Sequence, residues 1–124
     1  MIGRRRSPPT AAITAAGIDH VRLSYEYLDA GDIDGYASLL DEHVQVKRPD
    51  APHGHGRAEV LRLHANIATP ACKHEIYKII ADGDCVAAVG RFTGHIEAEF
   101  VDVFTLSDEG LLAGYRRFYF ANPN

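Results

Sequence analysis

Residues 96–106 carry the strongest chemical signal in the chain. Along Ile96 to Leu106 the even positions read Ile96, Ala98, Phe100, Asp102, Phe104 and Leu106. The odd positions read Glu97, Glu99, Val101, Val103 and Thr105. In a strand, alternate side chains face opposite ways, and the two glutamates mark the odd face as outer. Asp102 is therefore expected to point inward among aromatic and aliphatic neighbours. A lone buried carboxylate costs several kcal/mol, so Asp102 must be paired, hydrogen-bonded or protonated. Two arginines could meet it. Arg48 shares a face with Val44 and Val46, and Arg117 shares one with Tyr115 and Tyr119, while Arg116, Phe118 and Phe120 take the opposite face. Both faces of that last strand are mixed, so period alone leaves its inner face open. If the first set points inward, Asp102, Arg48, Arg117, Tyr115 and Tyr119 form one inner cluster. A carboxylate in an apolar cavity beside cations and phenols suits general acid–base work. The competing reading is a buried Asp–Arg pair that only holds the sheet in shape.

The seven histidines invite a metal reading. His53, His55 and Glu59 have the His-x-His-x3-Glu spacing of cupin metal sites, and two imidazoles with a carboxylate bind transition metals well. Yet a Pro/Gly loop runs from these histidines into a helix, where a cupin has a barrel strand, and the companion motif with a third histidine is missing. Glu59 also falls in a helix's first turn, where an acid stabilises the dipole unaided. No metal is expected, and a metal-dependent enzyme stands as a third reading. His53 and His55 are expected in a solvated loop or, functionally, at the rim of a pocket. His64 lies on an apolar helix face as a core histidine, whereas His20, His43, His74 and His95 show no pattern. Tyr25, Tyr36 and Phe92 read as pocket wall or core. With neither a GxGxxG nor a P-loop, no nucleotide cofactor is expected.

The elements that must position these residues follow from periodicity. Ile18, Val21, Tyr25 and Leu28 recur at helical spacing within Ala11 to Ala30, with Asp19, Arg22, Glu26 and Asp29 mostly opposite. Gly31 ends that helix and Asp32 caps a short second one, Ile33 to Leu40. Val44 to Arg48 alternates as a strand, residues 49–56 form a Pro/Gly loop, and Arg57 to Ile67 is a third helix stopped by Thr69-Pro70. Four strands follow in two hairpins: His74 to Ala81 with Cys85 to Thr93 about Asp82-Gly83-Asp84, and Ile96 to Leu106 with Leu112 to Ala121 about residues 107–110. Helices segregated beside an antiparallel sheet make the chain α+β.

Composition narrows the function classes. The 124 residues fit one domain, expected at 13–124, behind a disordered basic tail at 1–12. The content of 46% hydrophobic and 24% charged residues excludes a disordered chain or a disulfide scaffold. No apolar run approaches the ~20 residues of a membrane helix, so no membrane partner is expected. Net charge is -4 and the only tight basic cluster is Arg4, Arg5 and Arg6, so the folded part is acidic and a poor grip for nucleic acid. The tail lacks the apolar stretch of a secretory signal. Cys72 and Cys85 form no CxxC pair and read as buried free thiols, which points to the cytoplasm.

The chain resembles the NTF2-like superfamily, in particular its SnoaL-like polyketide cyclase and ketosteroid isomerase branches. The resemblance rests on Tyr27-Leu28-Asp29-Ala30-Gly31-Asp32-Ile33-Asp34-Gly35, Leu39-Leu40, Val44-Gln45-Val46, Gly56-Arg57-Ala58-Glu59-Val60 and Phe100-Val101-Asp102-Val103-Phe104 with its Asp-Glu-Gly turn. It runs from about residue 15 to residue 120. It implies a cone: a strongly curved, mostly antiparallel sheet wrapped around a pocket and covered by three helices from the N-terminal half. One fold hosts many chemistries. In the cyclases an acid at the place of Asp102 moves protons during ring closure, and in the isomerase it donates to an oxyanion. The isomerase's base falls at Arg48 here, and its first-helix tyrosine at about Ser24, one position from Tyr25. That points away from steroid isomerisation and toward an arginine stabilising an anion or enolate.

The resemblance thus implies a cofactor-free cyclase, isomerase or dehydratase of polyketide-type metabolism, working by proton transfer on a carbonyl-containing small molecule. Asp102 would be its acid or base, and Arg48 or Arg117 would stabilise the anion. Tyr25, Tyr115, Tyr119, His53, His55 and Phe104 would bind the substrate. The other class it implies is a non-catalytic ligand-binding or assembly module. In either case a homodimer is expected, through an outer sheet face bearing Val101, Val103, Phe118 and Phe120.

Overall fold

The computed structural model describes residues 9–49, 51–67, 72–94 and 97–120. Helix α1 (Ala11–Ala30) begins where the Thr10 hydroxyl accepts the Ile13 N–H at 3.1 Å. The helix therefore starts inside the segment expected to be tail, while residues 1–8 lie outside the described residues. Gly31 closes α1 in the left-handed region (φ 72°), its N–H returning to the Leu28 carbonyl, a conformation that favours glycine. The Asp32 carboxylate then accepts the Gly35 N–H and caps α2 (Ile33–Ser38). Helix α2 ends earlier than its periodicity predicts, because Leu40 already pairs with Leu112 as the first residue of β1 (Leu40–Lys47).

The Pro/Gly loop contains a two-residue strand, β2 (Gly54–His55), which pairs with Gln45 and Val46. Helix α3 (Arg57–Ile67) has the predicted bounds, and its Thr69-Pro70 stop lies outside the described residues. Strands β3 (Cys72–Asp82), β4 (Cys85–Gly94), β5 (Glu99–Leu106) and β6 (Leu112–Tyr119) form a continuous antiparallel meander. Strand β6 ends beside β1 in parallel, giving one six-stranded sheet in the order β2-β1-β6-β5-β4-β3.

The chain is thus α+β: a curved open sheet with three helices. Helix α1 packs on β3, β4 and β6, α3 packs on β1 and β2, and α2 bridges the two helices. Val21, Val44, Val60, Val86 and Phe100 are fully enclosed between the layers. Each such side chain contributes about 1.5–3 kcal/mol. Among the described residues no helix is long and apolar enough to cross a membrane.

The sheet's parity is now fixed strand by strand. On β5 the even face is inner, with Phe100 and Asp102 wholly buried. On β6 the inner face carries Tyr115, Arg117 and Tyr119, while Arg116, Phe118 and Phe120 are exposed. Cys85, expected to be buried, is exposed and free because it opens β4 directly after a tight turn. The side chain of Cys72 lies outside the described residues.

Strand β3 breaks its own alternation. The register steps from Ile76↔Gly90 to Lys78↔Val89, so Tyr77 is an extra, bulged residue. Beyond it Ile79 packs inward and Ile80 turns out to half exposure. The bulge brings backbone close to Gly90, where an added Cβ would sit 2.4 Å from the Glu75 carbonyl oxygen. Since backbone cannot swing aside as a side chain can, Gly90→Ala is expected to lower stability by about 1–3 kcal/mol. Urea unfolding checks this, and an unchanged midpoint would show that the bulge tolerates a methyl group.

Candidate active site

Asp102 on β5 and Arg117 on β6 stand directly opposite in the register, both on the inner face. The guanidinium grips the carboxylate bidentately: Nε donates to Oδ1 at 2.8 Å and Nη2 to Oδ2 at 2.9 Å. A third donor comes from α1, where the Tyr25 hydroxyl gives its proton to Oδ2 at 2.6 Å. Asp102 is 0% exposed and Arg117 3%. Three hydrogen bonds, two of them from a guanidinium, offset the desolvation of so buried a carboxylate. Burial works against the Arg117 charge, but Tyr115 and Asp102 outweigh it and its pKa is raised. Burial, reinforced by Asp102, pushes the Tyr25 phenol well above its ordinary range, so it stays protonated. Burial does the same to Tyr115.

One guanidinium atom is left over. Nη1 of Arg117 is buried and finds no hydrogen-bond acceptor among the described residues. The guanidinium carbon lies 4.2 Å from the Phe100 ring centroid and 4.7 Å from that of Phe92. Ring faces attract a cation but accept no strong hydrogen bond. A buried N–H donor without an acceptor is rare and costs about 1–3 kcal/mol, so Nη1 is an available donor in an apolar cage.

The same cage holds His74, for which the sequence showed no pattern. Its ring lies 5.0 Å from both Tyr25 and Phe92 and 6.0 Å from Phe100. Its Nδ1 sits 2.6 Å from Asp29 Oδ1, and its backbone N–H donates to Asp29 Oδ2 at 2.9 Å. Asp29 was expected on the outer side of α1. It lies one turn beyond Tyr25, however, so both face the sheet, one reaching Asp102 and the other His74. Burial lowers the His74 pKa, and the hydrogen bond it makes to Asp29 opposes that. Strand parity could have found His74, because it shares the inner face of β3 with Ile76. No local signal could have found its pairing with Asp29 across 45 positions of sequence.

The remaining residues singled out in the sequence scatter. Phe104 stacks at 5.1 Å on Tyr115 and at 6.1 Å edge-on to Tyr25, beside the ion pair. Tyr119 packs against the core. Arg48, half-buried beyond β1, lines a small recess with Val46, Val60, Leu63 and His64. Its charge bears on Tyr36 and His64, which meet at 3.2 Å between the Tyr36 hydroxyl and His64 Nε2. His53 and His55 are exposed, and Glu59 turns its Oε1 to the His55 backbone N–H at 2.8 Å. No group of three ligating side chains among the described residues converges on a metal position, so the His-x-His-x3-Glu spacing does not assemble a site.

His64 makes stability pH-dependent. Burial first, then Arg48 and Arg117, push its pKa down from 6.5 to about 4. The folded state therefore binds fewer protons than the unfolded chain between those values. The contribution is fully present above pH 6.5 and is lost as pH falls toward 4. Urea unfolding is expected to show that loss, and His64→Gln should recover up to about 3 kcal/mol of it. An identical pH slope in the variant would contradict this.

The SnoaL-like domain profile matches residues 21–115. Among curated proteins no sequence matches significantly. Solved structures superpose over most of the chain. One is a provisionally assigned ketosteroid isomerase from Kribbella flavida (TM-score 0.78, 21% identity, covering 90% of this chain and 82% of that one). Another is a provisionally assigned SnoaL-like polyketide cyclase from Jannaschia (TM-score 0.77, 19% identity, 95% and 92%). A third is SalBIII, an epoxide hydrolase/cyclase-like enzyme of pyran ring formation in the polyether salinomycin (TM-score 0.76, 21% identity, 88% and 94%). At these identities the superpositions establish the fold alone, a curved NTF2-like sheet. The profile match takes in the second half of the first helix, with Tyr25 and Asp29, and most of the sheet through Tyr115: the chain belongs to the SnoaL-like domain family.

Proposed function

We propose that this chain is a small-molecule enzyme that moves a proton on a carbonyl-containing substrate, as a cyclase, isomerase or dehydratase. The observation that carries the reading is the buried, unaccepted Nη1–H of Arg117 in its aromatic cage. Cyclisation, isomerisation and dehydration of such substrates share an enolate-type step. A preorganised cationic donor in a water-excluded site stabilises that developing oxyanion far more than it would in water. Arg117 is the anion-stabilising group in this reading. Three hydrogen bonds on a wholly buried Asp102 favour an anchoring role over that of a free acid or base. Tyr25, Tyr115 and Phe104 form the wall, and Arg48 is a second cation across the interior. Cyclases and isomerases among the structural relatives support this class, and a carbon skeleton of polyketide type suits the aromatic lining.

The closed ion pair also favours a second reading, a ligand-binding module without turnover. The two are separated by 2-tetralone, an apolar ketone with an acidic C–H beside its carbonyl, incubated with the protein in D2O and followed by NMR. Asp102→Asn alone strands a buried guanidinium and is expected to cost about 3–5 kcal/mol. Replacing both partners, Asp102→Leu with Arg117→Met, removes the charges together and is expected to leave a folded chain. An enzyme accelerates proton exchange and loses that in the folded double variant. Equal exchange by the double variant would sink the role of Arg117, and shifts in the protein spectrum without exchange would favour the module.

The proposal includes a cytoplasmic homodimer. The free, exposed Cys85 fits a reducing compartment. Phe118 and Phe120 stand 45% and 59% exposed on the outer face, next to the half-buried Val101 and Val103. Sedimentation is expected to give twice the chain mass, shifting to one chain mass in Phe118→Glu; a wild-type monomer would refute the dimer.

A further inference from the structure

The proton-transfer reading names an anion-stabilising donor but no base, and Asp102 is occupied. Three features converge on His74. The Asp29 carboxylate can only accept, so the 2.6 Å contact requires His74 Nδ1 to carry the proton. In the neutral ring Nε2 is then a bare lone pair, and no described residue hydrogen-bonds it. This is the logic by which a carboxylate fixes an imidazole's tautomer and steadies the imidazolium that forms on proton uptake. The second feature is access. Tyr25, Asp29 and His74 line a cleft of about 460 Å³ between α1 and β3, together with Arg22, Glu26, Lys78 and Ile79; the buried Arg117 guanidinium is not part of that lining. The third is position: His74 and the Arg117 guanidinium lie against the same Phe92 and Phe100 rings.

We propose that His74 is the base of this site, Nε2 taking a proton from carbon, with Asp29 as its positioning residue and the substrate seated in the α1–β3 cleft. This rests on the proton-transfer reading above. In the step, the C–H bond beside the carbonyl breaks and its electron pair becomes the enolate double bond. The carbonyl π pair moves to oxygen, toward Arg117 Nη1, and the proton forms the new N–H at Nε2. Asp29 balances the imidazolium. The same proton then returns to another carbon in an isomerisation or to a departing hydroxyl in a dehydration, so no oxidant or further reactant enters. The ligand class is an apolar, planar or nearly planar ketone with an acidic α C–H. Groups facing His74 set its titration: Tyr25 and Asp29 from α1, His64 from α3, Asp102 from β5 and Arg117 from β6. Burial lowers its pKa, so at neutral pH the base is free.

The test uses 2-tetralone exchange in D2O with the full chain. Wild type is expected to accelerate exchange with a rate constant that falls as pH drops below 6.5, through the lowered His74 pKa. His74→Gln, which can still bond Asp29, is expected to lose about 100-fold or more. Asp29→Asn removes the group that raises the His74 pKa, so its profile should move to lower pH with a reduced plateau. Exchange in His74→Gln equal to wild type, with the Asp102/Arg117 double variant slow, would overturn this inference and leave the proton-transfer reading standing. No exchange by wild type would overturn that reading and this inference with it. Independently of any substrate, 15N spectra of the imidazoles are expected to show His74 with a protonated Nδ1 and a bare Nε2. A protonated Nε2 at neutral pH would overturn the assignment.

Discussion

The interior depends on one buried ion pair. Asp102 and Arg117 are directly opposite on neighbouring strands, so their bidentate contact also fixes how β5 and β6 align. Slipping β6 by one residue would turn Arg117 to solvent, leave Asp102 unpaired in an apolar core and expose Tyr115 and Tyr119. Breaking such a pair costs more than forming it gains, because the stranded charge has no water. The pair is therefore better understood as a device for uniqueness of register than as a large source of stability. In the proposed reaction it would also set the chemistry, because a guanidinium held by two of its nitrogens presents the third in a fixed direction.

Helix α1 completes the arrangement from the other layer. Its buried positions Gly17, Val21, Ser24 and Tyr25 seat it on the sheet, and Gly17 leaves no room for a Cβ against Leu106. From that seat Tyr25 and Asp29 reach two different strands, so α1 ties the Asp102–Arg117 pair to His74 on β3. Asp29 and Asp102 each have donor partners, and both Phe92 and Phe100 lie against a cation and a neutral imidazole at once. Low dielectric around them strengthens every charge interaction that a substrate would feel. On β4, Ala88 faces Asp102 across the register and Gly90 faces Phe100, and the missing Cβ of Gly90 lets the Glu75 backbone of β3 come close.

Much of this was legible in the sequence because sheet period and capping chemistry are local. Alternation around Asp102, the Gly31–Asp32 cap pair and the Asp82–Asp84 turn placed β5, the two first helices and the β3–β4 hairpin. Two things were not legible. Both faces of β6 carry an arginine and an aromatic, so only the partner across the register decides that Arg117, not Arg116, is inner. The His74–Asp29 contact joins a helix end to the sheet's edge strand. Asp29 looked outward because a short apolar stripe on α1 does not reveal how far the buried face extends into the last turn. The placement of Glu59 in the first turn of α3 was legible too, and its carboxylate is used locally, on the His55 backbone N–H.

The most direct measurement is a structure of the protein with 2-naphthol, a planar mimic of the enolate of 2-tetralone. Groups that stabilise an enolate bind such a mimic more tightly than the ketone. The oxygen is expected within hydrogen-bond distance of Arg117 Nη1, with the adjacent ring carbon facing His74 Nε2 and the Asp102–Arg117 pair intact. A mimic that binds with its oxygen away from Nη1, or that leaves the cage unoccupied at saturating concentration, would contradict the account.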